Sequence, residues 1–319
     1  MTRSSVLADP VDRLVGACER LDAGDTTGRA VLLDALADAA SEWGTREPEA
    51  RLELRDACVR GLEPWSGNST LVRRTRDSEG SRRSFSVVEH VLENEPRGDG
   101  PAAREFDRVL LSSHALSALR ARRVVFGREL LRRFRARENG AVFRVAALNA
   151  GPAPELFDFL TAIGSAGRCV HAVIVDGDEA SLRHVEDRFA TMRCEATLEL
   201  RRIEPARAAL LREPLSSRPF DFVYAPASFD YVPDELAARC LEHAFAQLKP
   251  GGSLFLAHYH RDLTTFDRML LEWWLGWFPY FRAPKELARV VTQTSLAKDG
   301  TGAGAVRGPN VYAFIERKD

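Results

Sequence analysis

Small residues and an acid follow the first two apolar runs after residue 140, in the order that a nucleoside site needs. The run 143–148 leads into a loop of Asn, Gly, Ala and Pro, and the run 170–176 ends at Asp176. Backbone N–H groups at a helix start attract ligand oxygens, and an acid after the second run can accept hydrogen bonds from a ribose diol. Either feature alone is explained by a structural turn or a surface aspartate, but together they predict a cofactor site. Its candidate residues are Asn149, Ala150, Gly151, Ala153, Glu155, Asp176 and Gly177.

Polar side chains that could orient a substrate or move a proton follow two later apolar runs. Asp230 and Tyr231 lie in the loop after the run 220–225. His258 and His260 lie at the end of the next apolar strand. The ring of Tyr231 can stabilise a cation by about 0.5–2 kcal/mol, and a hydroxyl or ammonium acceptor would need a base. These four residues are the catalytic candidates, although the histidines could be strand-end residues and Asp230 a loop cap.

A tryptophan-rich segment follows these runs and offers candidates for substrate binding. Residues 265–287 read TFDRMLLEWWLGWFPYFRAPKEL. A stripe of rings at helical spacing packs more often in a core than against a ligand, so Trp274 is a candidate only if the segment covers the cofactor. Arg282 could clamp a carboxylate. We therefore predict Trp274 and Arg282 as substrate-binding residues.

Strand and helix patterns alternate from residue 143 to residue 316. Apolar runs of strand length are separated by amphipathic segments of helix length, which favours right-handed crossovers and a parallel sheet. The predicted fold is α/β, a doubly wound, seven-stranded and mostly parallel sheet. The segments 290–294 and 311–316 are expected to close it as an antiparallel pair, with 301–308 as a flexible hairpin connection. The other predicted strands are 143–148, 170–176, 196–202, 220–225 and 253–259.

The first hundred residues have a different pattern. Apolar residues recur at helical spacing in 6–21, 29–43 and 49–62, which predicts amphipathic helices. A turn-rich break then separates residues 1–93, a helical N-terminal extension or lid, from a cofactor-binding domain at 103–319. Several arginines of the helical pattern that follows are expected to have solvated heads and buried stems: Arg120, Arg122, Arg123, Arg128, Arg132 and Arg133.

Composition narrows the class of protein. The formal charge is −1 over 319 residues, which gives no electrostatic footprint for nucleic acid or an anionic membrane. The five cysteines form no CxxC pair, so neither a disulfide framework nor a metal site is predicted. The first residues lack the apolar core of a secretory signal. We expect a cytoplasmic protein whose partner is a small-molecule substrate, with neither nucleic acid nor membrane involved.

The sequences of several segments resemble those of one protein family. The segment 220–259, with FDFV followed by LKPGG, resembles the fourth and fifth strands of class I S-adenosylmethionine-dependent methyltransferases. With LNAGPAPE, SFDYVPD and the tryptophan-rich segment, it is similar to the bacterial subfamily of 3-hydroxy fatty acid methyl ester (extracellular factor) biosynthesis. The resemblance implies a Rossmann-like methyltransferase fold and S-adenosyl-L-methionine as cofactor. It also implies cofactor binding by the candidate residues after the first two strands, and by Ala225 and Ser228 after the fourth.

The first loop departs from that family's pattern of acidic-x-Gly-x-Gly-x-Gly. Ala147 stands at the acidic position, Asn149 at the first glycine and Ala153 at the third. The missing acid removes a common partner of the cofactor's amino group, and the side-chain amide of Asn149 could replace that contact.

Three functions remain open on the sequence. The first is methyl transfer to a small-molecule or lipid-like acid or hydroxyl acceptor in bacterial secondary or signal metabolism. The second is cyclisation, in which the amine of S-adenosylmethionine attacks its own γ-carbon, forms azetidine-2-carboxylate and releases methylthioadenosine. The third is an inactive methyltransferase-fold scaffold. A homodimer is possible in each case.

Overall fold

The computed structural model describes residues 5–77, 85–138, 140–294 and 296–318. They fall into two compact units, Met1–Ser117 with Leu263–Phe278, and Ala118–Asp262 with Pro279–Asp319. The division into 1–93 and 103–319 stays a prediction.

Helices precede the sheet and then alternate with its strands. The elements before the sheet are α1 (Ser5–Asp22), α2 (Gly28–Thr45), α3 (Pro48–Gly61), α4 (Glu63–Ser66), α5 (Thr70–Asp77), α6 (Phe85–Glu93), α7 (Pro101–Ser112) and α8 (His114–Ala136). They are followed by β1 (Phe143–Leu148), α9 (Pro154–Ile163), β2 (Val170–Asp176), α10 (Glu179–Thr191), β3 (Thr197–Arg202), α11 (Pro205–Leu211), β4 (Phe220–Ala225), α12 (Asp234–Ala246) and β5 (Leu248–Tyr259). The last elements are α13 (Thr265–Leu270), α14 (Pro284–Thr292), α15 (Leu296–Asp299), β6 (Gly300–Arg307) and β7 (Asn310–Arg317). Among the described residues, none of these helices is both long and apolar enough to cross a membrane.

The first unit is helical, as its apolar spacing predicts. Leu32, Leu36 and Ala39 recur on one face of α2 and are fully buried, which is the pattern of a helix packed on one side. One turn of π-helix, Leu271–Leu275, adds Trp273 to this core, where its ring meets that of Trp43 edge to face at 6.1 Å.

A buried carboxylate joins three segments of the first unit. Asp107 of α7 accepts hydrogen bonds from the Ser69 hydroxyl, from the N–H of Leu71 at 3.2 Å and from the N–H of Arg97 at 3.0 Å. Burial opposes ionisation, but His90 at 3.6 Å and the hydrogen bonds from Ser69 and the backbone N–H groups leave the pKa of Asp107 below its usual value. The carboxylate therefore satisfies backbone donors that would otherwise be buried without a partner.

The second unit contains a seven-stranded sheet in the order β3-β2-β1-β4-β5-β7-β6. Strands β1 to β5 pair in parallel, and β7 runs antiparallel to both β5 and β6. The strand order reverses between β1 and β4, which pair from Val145↔Phe222 to Ala147↔Tyr224. This confirms the predicted doubly wound fold.

Both faces of the sheet are covered, and alternate residues of each strand serve the two faces. Ala146 and Val223 join an apolar cluster with α11, α12 and α14. Ala147 and Phe222 join a second cluster with α8, α9 and α10. The central strands are mostly apolar because most of their residues are buried on both faces of the sheet.

The edge of the sheet differs from the prediction. The segment 290–294 does not form a strand: α14 extends to Thr292, because Leu287 and Val290 bury one helical face after Pro284 at the first helical position. The partner of β7 is instead the glycine-rich segment Gly300–Arg307, which was expected to be a connection. An exposed edge strand needs no alternating apolar pattern, so its sequence gave no strand signal.

We expect Asp107→Asn to lower the free energy of unfolding by about 2–4 kcal/mol, because the amide turns a donor towards the buried N–H groups. The control is Asp99→Asn: this carboxylate, 66% exposed, pairs with Arg73 at the surface and should contribute less than about 1 kcal/mol. Urea unfolding followed by circular dichroism measures both. Equal stability of the two variants would show that the buried hydrogen bonds contribute nothing beyond a surface ion pair.

Candidate functional site

The loop after β1 is held in an unusual backbone conformation. Asn149, Gly151 and Ala153 have φ angles of 47°, 54° and 44°, in the left-handed region that favours glycine. The N–H of Asn149 donates to the carbonyl of Val175 at 2.8 Å. Among L-residues, Asn tolerates this region comparatively well. The loop therefore keeps a glycine-like course although two of its three left-handed residues have side chains.

Asp176, at the end of β2, fixes the centre of that loop. Its carboxylate accepts hydrogen bonds from the N–H of Gly151 at 3.2 Å and from the N–H of Asp178 at 2.9 Å. Burial raises the pKa of Asp176 to about 6, the two N–H groups offset part of that rise, and the charges of Glu204 and Asp178 add to it. The two loops expected to share a cofactor site are thus joined directly.

Glu204, which follows β3, is a site residue that the sequence reasoning missed. Its carboxylate accepts a hydrogen bond from the Asn149 side-chain amide at 2.8 Å. A Cβ at Gly177 would lie 2.8 Å from the other Glu204 oxygen, so Gly177 permits the close approach. An acid directly after the third strand was a usable signal, since the ends of parallel strands meet at one edge of the sheet.

A pocket opens between the loops after β1, β3 and β4. Ser228 lies in its wall and donates a hydrogen bond to the carbonyl of Leu148 at 2.6 Å. Of the predicted cofactor residues, Asn149 and Ser228 line the pocket. Its lining consists of Leu148, Asn149, Glu204, Pro205, Ala206, Leu215, Ser228, Phe229, Val232, Cys240 and His243.

Other predicted cofactor residues are buried and do not line this pocket. Ala150 and Ala225 are buried beside the loops. Glu155 lies in the first turn of α9 and is 3% exposed. Burial raises its pKa to about 7, and the hydroxyl of Tyr224 beside it partly offsets the rise. Glu155 is therefore a buried carboxyl beside Tyr224, and it does not line the pocket.

The catalytic candidate Asp230 lies in a buried ion pair. Its carboxylate contacts the guanidinium of Arg122 and accepts a hydrogen bond from the N–H of Tyr259 at 2.8 Å. Burial raises the pKa of Asp230, but Arg122 and His258 outweigh burial and leave the pKa below its usual value. Asp230 is therefore an ionised group fully enclosed by the protein.

His258 is buried in the same cluster, and its neighbours fix its tautomer. The guanidinium of Arg282 lies 3.0 Å from Nε2 and has only donors, so Nε2 must accept. Nδ1 then carries the proton and faces Asp230 at 2.8 Å. Burial lowers the pKa of His258, and the nearby arginines add to that effect. The ring is therefore neutral, with Arg282 at Nε2 and the Asp230 carboxylate close to Nδ1.

Arg122 was expected to be solvated, and that expectation is wrong. It is 2% exposed, and its guanidinium lies 4.4 Å from the ring centre of Tyr259. Buried residues recur every four positions along α8, at Ala118, Arg122 and Phe126, so Arg122 points inward by helical phase. This spacing was the signal that could have identified it.

Tyr231, His260 and Trp274 lie in different surroundings. Tyr231 ends a 3₁₀ turn, Ser228–Tyr231, and is partly buried. His260 follows β5, and its Nδ1 accepts a hydrogen bond from the N–H of Asp262 at 3.1 Å. Trp274 belongs to the core of the first unit, where its ring meets that of Phe106 at 4.9 Å.

Comparison with solved structures shows the fold. A possible exported protein from Bordetella parapertussis is 16% identical, with a TM-score of 0.64 over 100% of this chain and 98% of the other. The CurJ carbon methyltransferase is 11% identical, with a TM-score of 0.52 over 98% of this chain and 91% of the other. No curated protein matches the sequence.

A family model identifies the chain. Residues 123–306, more than half of the sequence, match the family described as "Methyltransferase domain". The cofactor is accordingly S-adenosylmethionine, as the motifs after β1 and β4 predicted. The chain belongs to the methyltransferase domain family.

Proposed function

We propose that this methyltransferase transfers the methyl group of S-adenosylmethionine to a small-molecule or lipid-like acid, in bacterial secondary or signal metabolism. The observation that carries the proposal is the left-handed loop after β1, bonded through Gly151 to Asp176 at 3.2 Å. The resemblance of the segments after β4 and β5 to the fatty acid methyl ester subfamily supports a lipid-like acceptor.

The residues at this edge fit the cofactor. A Cβ at Gly151 would meet no atom within 4 Å, so a ligand can approach its backbone. The Oδ1 of Asn149 is buried and accepts no hydrogen bond from the described residues, which suits a donor such as the cofactor's ammonium. Asp176 has acceptor capacity for the ribose hydroxyls, and Ser228 would line the adenosine side.

The bound cofactor supplies an electrophilic methyl group, and the protein must align the acceptor with it. We assign Tyr231, beside the pocket wall, to orient the acceptor. Asp230 and His258 would act through the loop they hold, because both ring nitrogens of His258 already have partners. His258 is buried between Asp230 and Arg282, so it is not available as a base for the acceptor. A carboxylate acceptor needs no base, which supports an acceptor that binds as an anion.

Other assignments stay predictions. They are the role of Trp274 in substrate binding, His260 as an alternative base, the cytoplasmic location and a homodimer. The rewritten first loop, with Asn149 in place of a glycine, keeps cyclisation and an inactive scaffold as outcomes that an experiment must separate.

The nucleoside released from S-adenosylmethionine identifies the reaction. We expect S-adenosylhomocysteine in the presence of 3-hydroxy or other medium- and long-chain fatty acids, measured by mass spectrometry, and none without an acceptor. Methylthioadenosine released without an acceptor would establish cyclisation or cleavage of the cofactor instead. Absence of both nucleosides, with no thermal shift on adding the cofactor, would establish a scaffold.

We expect Asp176→Asn to weaken cofactor binding by about 1–3 kcal/mol through the ribose hydrogen bonds. Because the pKa of Asp176 is raised to about 6, the carboxylate is ionised above pH 6 and protonated below it. Wild-type affinity should therefore fall about tenfold between pH 7.5 and 5, where one carboxylate in ten stays ionised. Calorimetry at both pH values measures this.

The matched control for Asp176 is Asp187→Asn, on the exposed face of α10, which should bind like the wild type at both pH values. An Asp176→Asn variant that keeps the wild-type pH dependence would remove Asp176 from the site.

We expect Tyr231→Phe to lower turnover more than it weakens cofactor binding, because its hydroxyl is assigned to the acceptor. Tyr280→Phe, at a ring 47% exposed, serves as the control. Steady-state kinetics and calorimetry give the two effects separately, and equal losses in both would indicate that Tyr231 only packs.

A further inference from the structure

Two buried arginines bind the main chain of the loop after β4. The loop, residues 226–232, carries Ser228 and Tyr231. Arg122 donates from Nη1 to the carbonyl of Pro226 at 2.8 Å. Arg282 donates to the carbonyls at positions 229 and 232, at 2.9 and 2.6 Å. Three carbonyls of a seven-residue loop are therefore held by guanidinium groups that come from α8 and from the residue two positions before α14.

Each guanidinium is itself held in place. The Nε of Arg122 donates to the Asn310 side chain at 2.8 Å, and Asn310 in turn donates to the carbonyl of Ala118 at 3.0 Å. The Nε of Arg282 donates to Asp234 at 2.7 Å. In both arginines, Nε therefore binds a partner outside the loop, while the Nη atoms bind the loop carbonyls.

The charges of this cluster balance. The carboxylate of Asp230 compensates Arg122, and that of Asp234 compensates Arg282. His258 stays neutral between Asp230 and Arg282, because its Nε2 faces the guanidinium of Arg282, which has only donors. The cluster therefore has no surplus positive charge with which to bind an anionic substrate, and most of the N–H donors of both arginines already have partners.

Burying two arginines is a poor way to gain stability. The loss of hydration of each ion offsets most of the attraction to its partner, and apolar residues of similar volume often stabilise a core as well or better. A planar guanidinium instead provides N–H donors in a fixed geometry. A loop whose carbonyls are bound at three points has few alternative conformations.

We propose that Arg122 and Arg282 are positioning residues that set the conformation of loop 226–232. Neither arginine lines the pocket, and both act through Ser228, in the pocket wall, and Tyr231. The proposal rests on the proposed function for its catalytic consequence, but its structural part stands on the loop alone.

The kinetic test compares Arg122→Ala with Arg123→Ala. Arg123 is the next residue of the same helix, and its surface ion pair with Asp158 leaves its side chain 36% exposed. For Arg122→Ala we expect a loss in kcat of about 100-fold, with cofactor affinity changed less than about tenfold, because a misplaced loop chiefly disturbs alignment. Arg123→Ala should resemble the wild type.

Chemical rescue separates positioning from general destabilisation. Guanidinium at low millimolar concentration should restore about tenfold in kcat to Arg122→Ala, because it can refill the donor site above the loop carbonyls. Urea at the same concentration should not, and Arg123→Ala should respond to neither. Failure of guanidinium to restore any turnover in a folded Arg122→Ala protein would overturn the proposal.

Hydrogen exchange tests the loop without relying on turnover. In Arg122→Ala the peptide covering 226–232 should exchange faster than in the wild type, while the peptides of β4 and β5 stay protected, and guanidinium should restore the protection. If Arg122→Ala does not fold, Arg122→Lys and Arg282→Lys keep the charge but lose the fork, and should show the same changes to a smaller degree. Unchanged exchange at 226–232 would contradict the proposal.

The two proposals fail in different ways. A wild-type protein that releases no nucleoside would disprove the proposed function, and exchange at 226–232 would then decide alone whether the arginines hold the loop. A wild-type protein that turns over, with an Arg122→Ala variant equal to it in kcat and exchange, would leave the function intact and reject the positioning role.

Discussion

The reversal of strand order between β1 and β4 is the constraint on which the site depends. From these two strands the sheet extends in opposite directions, so the loops that follow them diverge and open a crevice. The hydrogen bond from Ser228 to the carbonyl of Leu148 joins the two loops at its base. Asp176 and Glu204 reach the crevice from the strands on one side, and Asp230 is anchored on the other side through Tyr259 of β5.

Two buried aspartates at this edge of the sheet have pKa values shifted in opposite directions by their surroundings. Among the described residues, Asp176 accepts hydrogen bonds from backbone N–H groups alone. Burial, together with the negative charges of Glu204 and Asp178, raises its pKa to about 6. Asp230 faces Arg122 and His258, and its pKa is lowered. Asp230 is therefore fully compensated by the protein, whereas Asp176 gains from further donors. Under the proposed function, the hydroxyls of the ribose would be such donors for the acid after β2.

The fold and the cofactor edge could be predicted because both follow from local patterns. Apolar runs and turn residues locate β1, β2, β4 and β5, and the chain order of parallel strands brings their ends together. Arg122 was misjudged because its neighbours in sequence are also arginines, and only the helical phase relative to Phe126 distinguishes it. The strand Gly300–Arg307 was missed because it lies exposed at the edge of the sheet, where pairing with β7 rather than apolar burial holds the chain.

The loop after β1 keeps left-handed backbone angles at two positions where other residues stand in place of glycine. Asn149 and Ala153 keep left-handed φ angles at a cost of about 1–3 kcal/mol each, which the bonds to Val175 and Glu204 help to offset. The acid missing at Ala147 is matched by another carboxyl on the same face of the sheet. Ala147 pairs in register with Tyr224, whose hydroxyl lies beside Glu155. The first turn of α9 thus places a carboxyl beside Tyr224, the residue that pairs with Ala147.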